Sequence, residues 1–243
     1  MPRYKTFSKQ TLSISGIEVN LHRKNVKNLN LRVYPSKQEV KISVPRHAPE
    51  KAVMEFVKAK IPWIKKHLSR KISPKPSATL NFVNGEKHLF FGNEFELRVV
   101  EKNSPPEVII EGNHTLILQV RPGADINKKA KVLKEWYRAH LKKEIPLLIQ
   151  KWEPIMGVSV QEFGVKAMKT RWGTCNIRDR RIWLNLELAK KRPELLEYVV
   201  VHEMVHLLER LHNKRFYGFM SQFLPNWKSL KAELNKTGPL SNC

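Results

Sequence analysis

Two histidines and a glutamate late in the sequence have the spacing of a metal-dependent hydrolase. His202 and His206 lie four residues apart in an apolar, helix-compatible run, so on an α-helix both imidazoles project from nearly the same face. Two imidazoles in this arrangement bind one metal ion, and Glu203 lies beside them as a proton acceptor. Because so short a motif also arises by chance, the rest of the site has to be identified before a function is assigned.

A third ligand is needed, because a catalytic zinc site uses three protein ligands and leaves one position for water. His212 lies six residues after His206 and reaches the same ion if the helix ends or turns near residues 209–211. Glu233, on a later helix-compatible stretch, is the alternative ligand. Zinc lowers the pKa of its water to about 7, and Glu203 is placed to take the proton and deliver it to a leaving amine. The pattern therefore predicts hydrolysis of a peptide bond.

A second cluster of interest lies upstream of the motif. Arg171 offers five fixed donors for a substrate carbonyl or carboxylate, and Gly173 allows the backbone to approach a ligand closely. The alternative is a plain turn, with Trp172 in the core, Cys175 as a small buried side chain and Arg171 paired with an acid. The residues alone leave both interpretations open. Arg171 and Tyr217 are the candidates for contacting the substrate or stabilising the oxyanion.

The elements that must position these residues divide the sequence into a β-rich half and a mostly helical half. In the run at residues 29–34 apolar side chains occupy every second position, which buries one face of a small antiparallel sheet. A helix is expected from residue 49 to about residue 70, with a kink or break at Pro62. The runs with β-type composition are residues 11–14, 17–21, 29–34, 40–44, 80–83, 88–91, 94–100, 108–111 and 115–120.

The second half begins where the hydrophobic period changes after Asp125. One long helix is expected to about residue 152, followed by short β elements near residues 158–168 and 181–186, and then by a helix that starts at Pro193 and enters the metal motif. The fold class is therefore α+β. We place a basic, β-rich N-terminal domain at residues 1–121 and a mostly helical domain at residues 122–243, and we interpret the proline-rich residues 73–77 as an extended linker.

The charge of the chain admits polyanionic partners. There are 45 Lys and Arg against 22 Asp and Glu, a formal charge of +23, which attracts nucleic acid, anionic surfaces and acidic proteins, and which also keeps a protein soluble. The alternative function is thus a nucleic-acid-binding protein with a structural metal site. Basic runs interleaved with aromatic side chains motivate it, at residues 23–32, 58–71 and 128–143, with Trp63, Trp136 and Tyr137.

The two cysteines, Cys175 and Cys243, do not indicate a disulfide framework, and they fit a reducing compartment. Near the start of the chain there is charge but no apolar core of signal-peptide length. No segment approaches the roughly 20 apolar residues that span a bilayer. The sequence predicts a cytoplasmic protein without membrane association.

Several segments in combination resemble the YgjP-like metallopeptidase family, a group of zinc-dependent metallohydrolases related to SprT-like and WLM proteases. The segments are residues 171–175, 182–185, 198–203 and 211–217, with further similarity over residues 23–70. The resemblance implies that residues 122–243 form a zincin-like metallopeptidase domain with zinc on His202, His206 and His212 and with Glu203 as the general base. By analogy with the related proteases, it also implies protein substrates associated with DNA. The chain departs from the family pattern at Leu211 and Tyr217, where Asn and Trp are usual.

Overall fold

The computed structural model describes residues 6–69 and 80–236 and has an α+β fold, as predicted. The chain forms two compact units, Met1–Thr79 and Leu80–Cys243, and each has its own hydrophobic core. The predicted linker at residues 73–77 and Cys243 lie outside the described residues. No helix in the described part of the chain combines the length and the apolar content that crossing a bilayer requires.

The sheet of the first unit is mixed, so the prediction of a purely antiparallel sheet is wrong. Its order is β1-β2-β4-β3, and β2 pairs with β4 in parallel. Val40, Ile42 and Val44 alternate along β4 and are all buried. A strand with an alternating apolar face is best covered when it lies inside the sheet. Strand β4 accordingly pairs with a neighbouring strand on each of its edges. The strands are β1 (Thr6–Ile14), β2 (Ile17–Lys24), β3 (Asn30–Tyr34) and β4 (Glu39–Pro45).

Two helices, α1 (Glu50–Ala59) and α2 (Ile61–Leu68), replace the single helix expected near residues 49–70. The break at Pro62 is confirmed. Pro62 is the second residue of α2, where a helix has no intrahelical partner for its backbone N–H, so proline costs little there. Both helices contribute buried side chains to the core of this unit.

The second unit begins with another mixed sheet, of order β5-β6-β8-β7, in which β6 and β8 are parallel. Residues 80–83 form no strand, contrary to prediction, and Phe82 within them has a positive φ of 52°, which interrupts extended backbone. The second unit starts at residue 80, whereas the sequence suggested a domain that starts at residue 122. The reason is that this sheet packs into the same core as the later helices. The strands are β5 (Lys87–Phe90), β6 (Asn93–Glu101), β7 (Glu107–Glu111) and β8 (Thr115–Val120).

A long helix, α3 (Ile126–Met156), follows this sheet as predicted and runs through Pro146 and Pro154 without ending. Its first turn is capped by the Asp125 carboxylate, which accepts a hydrogen bond from the Lys128 N–H at 2.7 Å. Tyr137 lies on its buried face and is 3% exposed. The helix supports the elements that carry the metal motif.

The remaining elements surround that motif. A three-stranded sheet has the order β10-β11-β9, with β10 antiparallel and β9 parallel to the central β11. Strand β10 was not predicted from the sequence, and it lies at an edge of the sheet. The elements are β9 (Glu162–Lys166), β10 (Gly173–Asn176), β11 (Arg181–Asn185), α4 (Pro193–Val205), α5 (Lys214–Phe223) and α6 (Trp227–Lys236).

Candidate active site

Helix α4 carries the metal motif into the core. Pro193 stands in its first turn, where no hydrogen bond is lost, and Glu194 lies at the positive end of the helix dipole. From Leu195 onward almost every side chain of α4 is buried, so the helix has little freedom to rotate or shift. His202 is 9% exposed and Glu203 is 5% exposed. Burial of the helix thus fixes both functional side chains in place.

The three predicted ligands converge. One possible ligand atom from each of His202, His206 and His212 lies within 4.8 Å of the others. The Nε2 atoms of His202 and His212 are 3.0 Å apart. Two nitrogens that each lie about 2.0–2.1 Å from one tetrahedral zinc are roughly 3.3 Å apart. The donor set and its spacing therefore suit a single divalent ion.

The chain returns to the site because α4 ends immediately after the motif. His206 is its C-cap residue, and residues 207–213 form the loop that brings His212 back. The Nδ1 atom of His206 lies 3.2 Å from the Glu209 carbonyl oxygen. With Nδ1–H donating to that carbonyl, Nε2 keeps its lone pair for a metal.

Burial also sets the protonation of the three imidazoles. Burial, and after it the repulsion that protonated His206 and His212 would exert, lowers the pKa of His202 to about 3. Burial lowers the pKa of His206 and of His212 below the usual value as well. All three rings are therefore neutral at pH 7, which is the form that binds a metal ion.

Phe216 forms an apolar support beneath the triad. It is fully buried, and its ring centroid lies 5.0, 4.8 and 4.6 Å from those of His202, His206 and His212. The Asn213 side chain caps α5 by accepting a hydrogen bond from the Phe216 N–H at 3.0 Å. Sequence reasoning assigned Phe216 no role. The sequence did contain a signal for this arrangement. An Asn suited to capping a helix follows His212 directly and stands three residues before an aromatic residue.

The Glu203 carboxyl packs against the backbone of β10. A Cβ atom on Gly173 would lie 2.5 Å from Glu203 Oε1 and 2.7 Å from its Cγ, so no larger residue fits unless the carboxyl moves. The sequence analysis predicted a close approach at Gly173, and the group that approaches is this side chain. Burial raises the pKa of Glu203 to about 8, and the opposing influence of the Arg171 charge is smaller.

Asn185 holds the segment that leads into β10. It is fully buried, and its Nδ2 donates to the carbonyl oxygens of Met168 at 2.8 Å and Arg171 at 2.7 Å. Its Oδ1 accepts from the Glu187 N–H at 3.2 Å. These bonds fix the position of β10 relative to β11. Sequence reasoning missed this role, although a polar residue at the end of an apolar strand is the corresponding signal.

An open cleft of about 1040 Å³ leads to the triad and to Glu203. All four residues of β10 line it on one side, and the start of the α4–α5 loop lines it on the other. Arg171 lines it and is exposed, and its contact with a substrate stays a prediction. Within the described residues Arg171 forms no ion pair with an acid. Trp172 is buried, as predicted.

Tyr217 and Glu233, the other predicted candidates, lie elsewhere. The Tyr217 ring stacks on Trp227 at 5.2 Å and faces the His212 ring at 6.3 Å, and Tyr217 is not among the residues that line the cleft. Glu233 forms a bidentate ion pair with Arg192, with N–O distances of 2.8 and 2.7 Å. Among the described residues, Glu233 is not part of the histidine cluster.

Comparison with known proteins identifies the family of this chain. The model of the metallopeptidase domain of YgjP-like proteins matches residues 27–237, and the chain therefore belongs to the YgjP-like family. It is similar to the metallopeptidase zymogen of abylysin from Pyrococcus abyssi, with 16% identity, a TM-score of 0.36 and coverage of 38% of this chain and 93% of that chain. It is also similar to the zymogen of jannalysin from Methanocaldococcus jannaschii, with 16% identity, a TM-score of 0.33 and coverage of 40% and 95%. A search of curated proteins gave no match.

Membership of this family defines the class of the protein. It is a metallopeptidase, which implies a divalent metal ion and a protein or peptide substrate. The histidine cluster is a group of side chains in the described residues that is suited to holding such an ion.

Proposed function

We propose that this protein is a zinc-dependent peptidase in which His202, His206 and His212 hold the metal and Glu203 is the general base. The observation that carries the proposal is the convergence of three imidazoles within 4.8 Å, beside a buried carboxyl on the helix that carries His202. Three neutral imidazoles are a common ligand set for zinc. Three ligands rather than four also leave one coordination position open, which is typical of catalytic sites.

Held by the three imidazoles, zinc would supply a Lewis acid that lowers the pKa of water to about 7 and polarises the carbonyl of the scissile bond. The positive charge of an ion held by the three imidazoles would lower the pKa of Glu203 from its raised value and keep the side chain as a carboxylate. In that form Glu203 takes the proton from the attacking water at one of its Oε atoms and delivers it to the leaving amine nitrogen. Its contact with Gly173 holds the carboxyl in a single position. The Arg171 guanidinium, which borders the cleft, donates hydrogen bonds to the carbonyl oxygen or to a nearby carboxylate of the substrate.

Strand β10 supports an extended mode of substrate binding. Its pairing partner in the described sheet is β11, so its other edge is unpaired along the cleft. An extended peptide pairs with such an edge through backbone hydrogen bonds that do not depend on the peptide's sequence. A peptide bound in this way would have its scissile bond between β10 and the metal ligands.

Metal removal tests the proposal. The protein treated with a chelator should lose hydrolysis of a disordered protein substrate, and about one equivalent of zinc should restore it. Re-addition of magnesium provides the control, because magnesium prefers oxygen ligands to imidazole. Full activity in the metal-free protein would contradict the proposal.

A second candidate function is association with DNA, which would make DNA-bound proteins the substrates. Residues 6–69 contain 13 Lys and Arg but four acidic residues, and Trp63 is 42% exposed on α2 beside Lys65 and Lys66. An exposed aromatic ring among cations suits stacking on single-stranded bases. Tyr137, by contrast, is buried and Trp136 is partly buried. Affinity for single-stranded DNA should fall steeply between about 50 and 200 mM salt and should weaken in Trp63→Ala.

A further inference from the structure

Among the described residues, the cationic side chains that line the cleft are all arginines. Arg171, Arg178 and Arg210 line the cleft itself. Arg180 lines an adjoining cavity of about 610 Å³, which shares Ile177, Leu207 and Leu208 with the cleft. All four arginines are exposed. They lie on both sides of the cleft. Arg171 precedes β10, Arg178 and Arg180 lie in the β10–β11 turn, and Arg210 lies in the α4–α5 loop.

Few carboxylates oppose these charges. Within the part of the chain that the structure describes, Glu203 is the one acidic residue that lines the cleft, and it is buried. Glu153 lines the adjoining cavity and accepts a hydrogen bond from the Val160 N–H at 2.7 Å. Asp179, in the same turn as two of the arginines, is paired with Arg181 at 3.0 Å. In the part of the chain that the structure describes, none of the four cleft arginines forms an ion pair.

The choice of arginine is informative because lysine is the commoner cation in this chain, with 30 Lys and 15 Arg. A net charge for solubility is served equally by either residue. A guanidinium presents a planar fork that binds a carboxylate through two parallel hydrogen bonds, which an ammonium group does not. The cleft therefore has the chemistry of a carboxylate-binding surface.

We propose that Arg178, Arg180 and Arg210, together with Arg171, select polypeptide segments rich in Asp and Glu as substrates. This inference rests on the proposed peptidase function and names its substrate class. A peptide extended along β10 passes the arginines of the β10–β11 turn and of the α4–α5 loop. Acidic side chains on either side of the scissile bond then meet guanidiniums, whereas basic side chains meet charges of the same sign.

Three matched peptides test this inference, identical except for Glu, Gln or Lys at the positions that flank the scissile bond. With the zinc-loaded protein, we expect kcat/KM for the Glu peptide to exceed that for the Gln peptide by about tenfold, and the Lys peptide to be the poorest. The difference should shrink in about 0.5 M salt, because exposed charges are then screened within a few ångströms. Binding to the Glu203→Gln variant, measured by fluorescence anisotropy, should follow the same order without any hydrolysis.

Charge reversal separates a local effect from the overall charge of the protein. The triple variant Arg178→Glu, Arg180→Glu and Arg210→Glu should remove or invert the preference. The matched control introduces three glutamates on α3, outside the cleft, and should keep the preference. Its substitutions are Lys128→Glu, Lys131→Glu and Lys142→Glu.

The outcomes are distinguishable. If no peptide is cleaved but the Glu peptide binds best, the proposed function fails and the acidic preference stands. Equal affinities for the three peptides would overturn the inference, and so would a control variant that loses the preference as fully as the cleft variant.

Discussion

Gly173 and Glu203 are in direct contact, although they belong to different elements. The backbone of β10 lies so close to the carboxyl on α4 that a Cβ atom at residue 173 would come within 2.5 Å of Oε1. The strand that borders the substrate cleft therefore also fixes the proposed general base. Since the carboxyl is buried and borders the cleft, any displacement changes its position relative to the three imidazoles and to a substrate.

Substituting Gly173 tests this contact. In Gly173→Ala the carboxyl has to shift, and a misplacement of about 1 Å lowers kcat/KM by about 100-fold. Metal content should remain as in the wild type, because the three imidazoles are not touched. Gly218→Ala is the matched control, since a Cβ there meets nothing within 4 Å. Wild-type kinetics in Gly173→Ala would show that the contact does not position the base.

The third ligand is tested by His212→Ala. Loss of an outer partner of a ligand already lowers metal affinity by 10- to 100-fold, so loss of the ligand should lower it by at least about 100-fold. A competition titration with a chromogenic chelator measures this change. His114→Ala, an exposed histidine in the β7–β8 turn, is the control. Unchanged zinc affinity in His212→Ala would remove this residue from the ligand set.

The Tyr217 side chain could serve through the stacking of its ring or through an oxyanion contact of its hydroxyl, and a conservative substitution distinguishes the two roles. The ring stacks on Trp227 and faces His212, so we expect Tyr217→Phe to keep the stacking, the zinc affinity and a kcat within about threefold of wild type. A hydroxyl that stabilised the oxyanion would instead cost about 10²- to 10³-fold in kcat when removed. Steady-state kinetics at saturating peptide decides between them, and a loss of that size would support the prediction from the sequence.

Cys175 lines the cleft, and its environment predicts low reactivity. Burial, and after it the charge of Glu203, raises the pKa of its thiol to about 12. The thiolate fraction at pH 8 is therefore very small, and alkylation by iodoacetamide should accelerate about 1000-fold when urea unfolds the chain. In the folded protein the rate should rise about tenfold per pH unit from pH 8 to pH 11. Cys243→Ser removes the second thiol from the assay. Rapid labelling of the folded protein at pH 8 would contradict this environment.

The sequence predicted the core of the candidate site because its spacing is local. The positions of His202, Glu203 and His206 follow from one helix, and His212 lies a short loop away. The edge strand β10 was missed, because Gly-Thr-Cys-Asn carries no alternation of apolar residues. The contact between Gly173 and Glu203 and the anchoring by Asn185 join elements that are separated in sequence, and no periodicity reveals such contacts.

The sheets and the domain boundary show the same limit. Turn signals identified most strands correctly, but the parallel pairs β2–β4 and β6–β8 depend on which strands meet across a connection. The change from β to helical pattern near residue 121 suggested a boundary, yet β5–β8 bury their apolar side chains against the later helices. A change in the type of secondary structure along the chain therefore does not mark the boundary between two hydrophobic cores.

The location of the protein in the cytoplasm stays a prediction.

Glu203 has the central role in the proposed mechanism, as a base beside a metal ion that other residues hold. The Glu203→Gln variant keeps the shape of the side chain and removes its capacity to accept a proton. Metal content and peptide hydrolysis should be measured on the same preparation. We expect about one zinc per chain, as in the wild type, with kcat lower by at least about 100-fold. A zinc-loaded Glu203→Gln protein that hydrolyses peptide at the wild-type rate would contradict the account.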